Sequence, residues 1–232
     1  MTQRSGFEVE FLDGVGAARA EGAFRQVYAE VFAEPPYSET EEDAAAAFRR
    51  FRSQTRKEGF HAALARAAGG EAVGMAYGYP LGPRTGWWDR LTKPVPEEMR
   101  REDGRRTFGL MELAVRAGWR GRGVARRLHG TLLGGLEAER VLLNVHPEGK
   151  AALAAYRSWG YRKIGEARPW AGADLHDVLL LDLAHWAAKS SVVQRSAQRR
   201  GVAQPVPVRP GGITSEAVPV PRSAGPRGPG PR

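Results

Sequence analysis

The hydrophobic pattern of the first 186 residues follows two periods. Apolar residues recur at every second position, or in short runs, where strands are expected, and at helical spacing where helices are expected. The strand-like segments are 7–12, 61–67, 72–79, 108–115, 140–145, 161–167 and 177–183. The helix-like segments are 17–32, 40–56, 123–139 and 150–159. This order predicts an α/β fold in which a strand and two helices precede three strands, a helix, a strand, a helix and two strands.

Two segments fall outside this pattern. The connection 80–107 contains Trp87 and Trp88, and a short helix is expected near 96–102. Adjacent tryptophans favour an ordered loop that covers another part of the protein. Residues 187–232 hold eight of the 16 prolines and are rich in Gly and Arg, so they bury too little apolar surface to offset their ordering entropy. We therefore predict one domain at 1–186 and a disordered tail at 187–232.

The net charge of +9 is concentrated in that tail. Residues 187–232 carry eight Lys and Arg against one acidic residue, whereas 1–186 carry 27 basic and 25 acidic residues. Nucleic acid is therefore expected as a partner only through the tail. The absence of cysteine excludes disulfides, thiolate zinc sites and a cysteine nucleophile. No apolar run approaches about 18 residues and no apolar signal core begins the chain, so a cytoplasmic protein without membrane contact is expected.

The segment 108–128, FGLMELAVRAGWRGRGVARRL, carries the clearest chemical signal. An apolar strand leads into a basic, glycine-rich turn that opens directly into a helix. The first N–H groups of a helix have no intrahelical partner and the dipole favours anions, so this turn predicts a phosphate site. Gly121 and Gly123 leave room for a phosphate near the backbone. The string G-x-x-x-x-G-K-[ST] does not occur, and G-x-G-x-x-G fails because its third glycine position is Arg126.

The string R-x-x-G-x-A, formed by Arg120, Gly123 and Ala125, resembles the pyrophosphate loop of the GCN5-related N-acetyltransferase (GNAT) superfamily. A second block, VHPEGKAALAAYRSWGY at 145–161, is similar to the family's V-x-x-x-N-x-x-A-x-x-x-Y-x-x-x-G-F/Y. Gly149 stands where the family has Asn, which puts one side-chain contact to the cofactor or the adjoining loop in doubt.

The resemblance implies a GNAT-type α/β fold with a mixed, mostly antiparallel central sheet flanked by helices. It also implies acetyl-CoA as acyl donor, with no metal. The residues implied in donor binding are Leu113, Ala114, Val115, Arg120, Gly121, Arg122, Gly123, Val124, Ala125 and Arg126. The first three would offer free backbone N–H groups, and the others form the loop. Tyr156 is implied as the acid that protonates the leaving thiolate, although its spacing equally fits a core tyrosine.

Glu112 is the candidate general base, because it interrupts an otherwise apolar strand. Strand alternation predicts that it shares a face with Phe108 and Leu110. A carboxylate in such surroundings has a raised pKa, which suits a base acting directly or through water. A position at a polar edge of the sheet, or an ion pair with an Arg, would explain the presence of Glu112 in this strand without a catalytic role. The histidines at 61, 129, 146, 176 and 185 show no metal-ligand spacing. His146 follows a strand end that is expected near the acceptor site, but a surface histidine, or one with its hydrogen bonds satisfied, is the simpler explanation.

The acceptor is indicated by charge alone. Five acidic residues crowd the connection between the first two helices: Glu34, Glu39, Glu41, Glu42 and Asp43. The resemblance implies that this connection borders the acceptor site, where carboxylates suit a cationic amine. Structural roles as helix caps and as partners of the helix dipole account for most of these five acidic residues. We expect direct attack by a small-molecule primary amine in a ternary complex. Acetylation of a protein or peptide amine, a non-catalytic CoA-sensing domain with a nucleic-acid-binding tail, and a homodimer stay open.

Overall fold

The computed structural model describes residues 6–170, 172–184 and 186, which fold around one seven-stranded sheet. The strands are β1 Phe7–Leu12, β2 His61–Ala67, β3 Ala72–Pro80, β4 Thr107–Val115, β5 Arg140–Val145, β6 Arg162–Ala167 and β7 His176–Asp182. Their spatial order is β1-β2-β3-β4-β5-β7-β6, and every neighbouring pair is antiparallel except β4–β5. The predicted mixed, mostly antiparallel sheet is confirmed, with each strand within one residue of its predicted bounds.

Helices cover both faces of this sheet. They are α1 Gly14–Arg19, α2 Glu21–Phe32, α3 Glu41–Gln54, α4 Glu97–Arg100, α5 Val124–Leu133 and α6 Lys150–Trp159. On one face, α1, α2 and α3 bury an aromatic core that includes Phe24 and Phe51 and packs on Met75 of β3. On the other face, α5 and α6 bury Leu128 and Leu153 against the strands. The helical spacing of apolar residues therefore reports which side of each helix meets the sheet.

The first predicted helix, 17–32, forms as two helices. The chain becomes helical earlier, at Gly14, because the Asp13 carboxylate caps α1 by accepting a hydrogen bond from the Gly16 N–H at 2.7 Å. At Ala20 the backbone leaves helical geometry, with φ −90° and ψ 9°, and α2 begins at the next residue. Apolar periodicity does not register this break, since both helices bury residues in the same core.

The predicted helix 123–139 is shorter than expected. α5 stops because Gly134 is extended and Gly135 adopts a left-handed conformation with φ 77°. Glycine takes that conformation without steric cost and commonly ends a helix. The start of α3, by contrast, lies within one residue of its predicted position, because Thr40 Oγ1 accepts from the Asp43 N–H at 3.2 Å and the Asp43 carboxylate accepts from the Thr40 N–H at 2.9 Å.

The pairing of β4 with β5 is short, and it opens the sheet. Only residues 107–109 of β4 pair with residues 140–142 of β5, in parallel. β4 nevertheless stays paired with β3 as far as Val115. From Leu110 onward, the edge of β4 that faces β5 therefore has no strand beside it among the residues described. We call this opening between β4 and β5 the split.

A β-bulge lies beside the split. Tyr77 of β3 pairs with Glu112, but its neighbour Gly78 pairs with Leu110, so Met111 is the extra residue on β4. A Cβ added to Gly78 would lie 2.3 Å from the Gly109 carbonyl oxygen. Glycine is therefore required opposite the bulge, and the bulge reverses the faces to which the later side chains of β4 point.

The connection 80–107 is ordered, as its two tryptophans predict, and it covers the β6 end of the sheet. Trp88 is buried in a cluster with Leu142 of β5. Along the outer edge of β6, the Thr92 N–H donates to the Glu166 carbonyl oxygen at 2.8 Å. The segment contains α4, at the position where a short helix is expected.

A buried ion pair fastens this connection to the β4–β5 junction. Arg140 Nη2 donates to Glu102 Oε1 at 3.0 Å, and the two side chains are only 9% and 1% exposed. The same oxygen accepts from Trp88 Nε1 at 3.0 Å and from Thr107 Oγ1 at 2.8 Å. Arg140 also donates to Thr107 Oγ1 and to the Met99 carbonyl oxygen, each at 2.7 Å. The shared hydrogen bonds compensate two charges that would each be costly alone.

His129 of α5 is a buried titratable group on the opposite face. Its Nε2 lies 2.9 Å from the Tyr161 hydroxyl oxygen, and its ring packs on Trp159. Burial, with a smaller contribution from Arg126, lowers the pKa of His129 from 6.5 to about 4. Between these pH values the unfolded chain takes up a proton that the native chain does not, so stability falls as pH drops through this window.

We expect a His129→Gln variant to lose that part of the acid dependence. The free energy of unfolding, measured by denaturant titration from pH 7 to pH 4, should fall less steeply than in the wild type. The difference over the window should be roughly 3 kcal/mol for a shift of this size. Gln can lower stability uniformly by disturbing the packing, so the slope with pH is the readout, and equal slopes would refute the assignment.

The predicted tail, 187–232, lies outside the described residues, and the domain boundary expected at 186 stays a prediction. Within the described ranges, no helix combines the length and the apolar character needed to cross a membrane.

Candidate functional site

The glycine-rich turn lies at the open end of the split. β4 ends at Val115, a short 3₁₀ turn follows, and Gly123 is the N-cap of α5 without any side-chain hydrogen bond. Gly121 and Gly123 have φ values of 73° and 82°, and a Cβ added to either would meet nothing within 4 Å. The turn thus combines left-handed glycines, open space and the unsatisfied N–H groups of a helix start. This arrangement fits the pyrophosphate site expected there.

The arginines of the turn have different environments. Arg120 is part of the framework, since its Nε donates to the Val115 carbonyl oxygen at 3.0 Å and its Nη1 to Glu34 at 2.7 Å. Arg122 lies over the ring of Trp119, 5.1 Å from its centroid. Arg126 is exposed on the first turn of α5. The sequence indicates only that the turn is basic, whereas the structure shows that Arg120 holds the turn against β4 and the α2–α3 connection.

Strand alternation shows which backbone groups face the split. The Arg116 N–H donates to the Val73 carbonyl oxygen at 3.0 Å, in register with the pairing of β4 and β3. Because hydrogen-bonded positions alternate in an antiparallel pair, the main-chain groups of Ala114 also face β3. Those of Leu113 and Val115 face the split, and the contact of Arg120 with the Val115 carbonyl agrees. Of the three predicted N–H donors, two therefore point into the split.

Glu112 occupies a different face from the one predicted. Phe108 and Leu110 belong to the core under α5 and α6, whereas Ala114, two residues beyond Glu112, belongs to the aromatic core under α2 and α3. The prediction that Glu112 shares a face with Phe108 and Leu110 is therefore wrong, because the bulge at Met111 shifts the alternation by one residue.

The surroundings of Glu112 favour its neutral form. Burial, together with the negative charge of Glu39, raises the pKa of Glu112 from 4.5 to about 8, and Arg50 opposes this shift weakly. Its carboxyl group also raises the pKa of Tyr77, its cross-strand partner. A carboxyl group poised near neutral pH suits proton transfer.

Tyr156 packs as a core residue and has a raised pKa. Tyr156 is buried on α6, with ring contacts to Trp159 and Tyr161. Burial is the main cause of its raised pKa, and Tyr37 and Glu112 contribute further. The phenol is therefore fully protonated at neutral pH, as an acid must be. Tyr156 is a core residue by packing, and its role as the acid stays a prediction.

Tyr37 is a residue of this site that the sequence pattern does not indicate. It lies in the α2–α3 connection, and its ring centroid is 6.0 Å from that of His146, just after β5. A Cβ added to Gly149 would lie 3.7 Å from its hydroxyl oxygen. The phenol therefore spans from the α2–α3 connection to the β5–α6 connection. The sequence signal that points to such a residue is Gly149. Because glycine has no side chain, it leaves space that a side chain from another part of the chain can fill.

His146 has structural partners. Its Nδ1 accepts from the Glu148 N–H at 3.1 Å, and its Nε2 lies 3.7 Å from a carboxylate oxygen of Asp174. The ring of His176 is 5.3 Å away. His185 lies outside the described residues. In the part of the chain that the structure describes, no group of three or more His, Asp or Glu side chains is arranged to hold a metal ion.

The acidic residues of the α2–α3 connection separate into two kinds. Glu34 pairs with Arg120 and Glu41 with Arg25, Asp43 caps α3 together with Thr40, and Glu42 is exposed in the first turn of α3. These are ion-pair, capping and helix-dipole positions. Glu39 differs, because its Oε1 accepts from the hydroxyl of Tyr28 at 3.1 Å. Burial raises the pKa of Glu39, and the hydrogen bond from Tyr28 opposes this.

A sequence profile described as the Acetyltransferase (GNAT) family matches residues 24–161. The chain therefore belongs to the GNAT acetyltransferase family. The matched region runs from α2 through the split and the turn to the end of α6, so it contains the candidate site.

Solved structures share this fold at low sequence identity. Protein PH1933 of Pyrococcus horikoshii is 18% identical, with a TM-score of 0.51 and coverage of 75% of this chain and 98% of that one. A putative GNAT acetyltransferase of Desulfovibrio desulfuricans is 17% identical (TM-score 0.51; 75% and 99%). Ard1 of Thermoplasma volcanium is 14% identical (TM-score 0.50; 76% and 97%). An uncharacterized protein of Mycobacterium leprae is 40% identical over 72 residues, which are 30% of this chain and 20% of that protein.

Proposed function

We propose that the protein is an N-acetyltransferase that moves an acetyl group from acetyl-CoA to a primary amine of a small molecule. One observation carries this proposal: the unpaired edge of β4 runs from the region of Glu112 past Leu113 and Val115 to the open turn at the start of α5. One end of this path suits a pyrophosphate, and the other holds groups suited to proton transfer. We assign the activity to residues 1–186 and place it in the cytoplasm, where acetyl-CoA is available.

Backbone donors would hold the acyl donor along the split. The N–H groups of Leu113 and Val115 face this space and can donate to the pantetheine chain and to the thioester oxygen. Such donors are fixed before the reaction begins, so they stabilise negative charge that develops on that oxygen. The first N–H groups of α5, at Val124 and Ala125, would bind the pyrophosphate, with the exposed Arg126 adding positive charge.

Glu112 and Tyr156 would carry the proton steps. The amine nitrogen attacks the thioester carbonyl carbon, a C–N bond forms, and the C–S bond breaks. Glu112 accepts the proton that the nitrogen loses, and Tyr156 gives its hydroxyl proton to the departing sulfur. Solvent then returns the proton from Glu112 to Tyr156. Because the chain contains no cysteine, we propose direct attack in a ternary complex.

A Gly123→Asp variant tests the donor site. The carboxylate would enter the pyrophosphate space and repel it, so acetyl-CoA affinity measured by calorimetry should fall by at least about 100-fold, or 2.7 kcal/mol. Gly104→Asp is the matched control, because Gly104 also has a positive φ, of 89°, and open space around it, but lies in the connection before β4. Equal affinity in the two variants would overturn the donor assignment.

The acceptor class is tested by release of free CoA with a panel of small amines, polyamines, amino acids, aminoglycosides and peptides. Transfer to small amines in preference to peptides is the expected result. Preference for peptides would replace the proposed acceptor with a protein amine and leave the donor site unchanged.

A further inference from the structure

Tyr37 crosses the split from one part of the fold to another. Its ring packs edge-to-face against Phe32 at the end of α2, with centroids 4.9 Å apart, and against His146 after β5, at 6.0 Å. Its hydroxyl oxygen would lie 3.7 Å from a Cβ added to Gly149, the N-cap of α6. A single side chain of the α2–α3 connection therefore reaches both the far end of β5 and the start of the helix that follows.

The two ends of this contact are fixed to different parts of the sheet. The α2–α3 connection is held beside the end of β4, because Glu34 accepts from Arg120 Nη1 at 2.7 Å. His146 is held beside β7, since its ring centroid is 5.3 Å from that of His176. We call β1–β4 with α1–α3 and α5 the first half, and β5–β7 with α6 the second half. Tyr37 links the two halves.

The face of the sheet on which Tyr37 lies has no common apolar core among the residues described. One cluster contains Tyr37, the aromatic core under α2 and α3, and Ala114 of β4, and another contains Leu142 of β5 under the connection 80–107. Met111 packs against both clusters. On the opposite face, by contrast, one core continues across both halves. Tyr37 therefore provides a contact between the halves on the face where their packing is interrupted.

This contact lies far from the point where the two halves pair in the sheet. β4 and β5 pair at residues 107–109 and 140–142, and His146 lies four residues beyond that segment. Four residues of strand span roughly 13 Å. A small rotation about the paired segment therefore produces a larger displacement at the mouth of the split, and a contact placed there limits the rotation most effectively.

The groups assigned to the two proton steps belong to different halves. Glu112 is on β4, whereas Tyr156 is on α6, the helix that begins beside Tyr37. The acyl donor would instead be held within the first half, by β4 and by the start of α5. A change in the width of the split would therefore move Tyr156 relative to Glu112 and leave the donor-binding groups together. Catalytic geometry tolerates little displacement of this kind.

We propose that Tyr37 is a positioning residue, which spans the split and fixes the second half against the first so that Tyr156 meets the substrate held beside Glu112. This inference rests on the proposed function and deepens it, because it adds a residue that acts on the rate without touching the reacting atoms. Gly149 provides the space into which the hydroxyl of Tyr37 fits.

Tyr37→Ala should lower kcat about 100-fold, the size of effect that follows a displacement of about 1 Å at a catalytic group. Acetyl-CoA affinity, measured by calorimetry, should stay within about 3-fold of wild type, because the donor-binding groups lie in the first half. Tyr37→Phe keeps the ring contacts, so its kcat should lie between those of the wild type and Tyr37→Ala.

Tyr79→Ala is the matched control. Tyr79 is also a partly buried tyrosine packed on the aromatic core, but its hydroxyl accepts from Gln54 of α3 within the first half. This variant should lower the thermal midpoint and keep the wild-type kcat at a temperature where the protein is folded. Equal losses of kcat in the two alanine variants, or a loss of donor affinity as large as the loss of kcat in Tyr37→Ala, would overturn the inference.

A second substitution tests the contact from the side of α6. Leucine at position 149 would meet the Tyr37 hydroxyl and displace the ring, so Gly149→Leu should lower kcat by at least about 10-fold. In Tyr37→Ala the same leucine would enter the vacated space and should lower kcat no further. A Cβ at this position would lie 3.0 Å from the His146 carbonyl oxygen in both backgrounds, so the comparison cancels that strain. Losses that simply multiply in the double variant would overturn the inference.

Hydrogen exchange separates this inference from the proposed function, because it requires no turnover. The backbone N–H groups of residues 143–153 should exchange at least about 10-fold faster in Tyr37→Ala, and not in Tyr79→Ala, because the second half loses its contact with the first. Faster exchange, together with no transfer to any amine by the wild type, would support the link through Tyr37 and overturn the acetyltransferase proposal. Unchanged exchange, together with normal transfer, would overturn the link and leave the acetyltransferase proposal standing.

Discussion

Replacing Glu112 by Gln will lower kcat/KM by about 10²–10⁴, the range for loss of a general base, while acetyl-CoA affinity hardly changes. Gln keeps the shape of the side chain but cannot accept the proton that the attacking nitrogen loses. In the proposed site the donor is held by backbone groups and by the turn before α5, and the substitution touches neither. Steady-state kinetics with a fixed amine, and calorimetry with acetyl-CoA, measure the two effects separately.

The pH profile should identify the group. A general base acts in its ionised form, so with Glu112 in this role kcat/KM of the wild type should rise with pH through a pKa of about 8, and Gln should abolish this limb. The acceptor must be an amine that is unprotonated throughout the range, since its own ionisation would otherwise produce the same limb. A wild-type rate with an unaltered profile would move the base to His146 or to a water chain.

Stability should change in the opposite direction to activity. The pKa of Glu112 is raised in the folded protein from 4.5 to about 8, so the native state loses stability as pH rises through this window. Gln has no charge to bury. The variant should therefore be more stable than the wild type above pH 8, by roughly 1–4 kcal/mol. A residue that served only to hold the fold would lower stability and rate together.

Replacing Arg140 by Met will cost about 3–5 kcal/mol of unfolding free energy, because it leaves Glu102 charged, buried and without its partner. The guanidinium also satisfies Thr107 and the Met99 carbonyl oxygen, and these contacts would be lost too. Chemical denaturation of the wild type and the variant at pH 7 measures the difference.

Two comparisons show whether the effect comes from a buried charge. Adding Glu102→Gln to Arg140→Met removes the uncompensated charge and keeps an acceptor for Trp88, so part of the stability should return. Arg101→Met breaks the exposed pair with Glu98, which is 3.0 Å long with both side chains about 70% exposed, and should have a much smaller effect. Similar losses in the Arg140 and Arg101 variants would contradict the assigned role of the buried pair.

The strand positions could be predicted because each strand carries its own signal, either period-two alternation or a short apolar run. That signal is local, so it survives differences elsewhere in the chain. The turn at Gly121 and Gly123 could also be predicted, since left-handed glycines before a helix are a local requirement. For the same reason, the motif located the open end of the candidate site.

The orientation of individual side chains could not be predicted, because it depends on distant parts of the chain. One extra residue at Met111 turns Glu112 to the other face of the sheet, and that bulge becomes visible only in the register with β3. Arg120 meets Glu34 across 86 positions of sequence. Among five similar acidic residues, only three-dimensional contacts separate Glu39 from those that cap or pair.

The split also has a consequence for the solubility of the protein. Unpaired N–H and C=O groups on a strand invite other chains to add to the sheet, which leads to aggregation. Here the unpaired groups of β4 lie in the interior of the sheet, with β5 diverging from them at the side where a foreign strand would have to enter. To add to a sheet, a strand must lie about 4.8 Å from a straight, unpaired edge along its whole length. The narrowing split does not leave room for this. A narrow ligand can therefore reach the unpaired N–H groups of β4, whereas a strand of another polypeptide cannot.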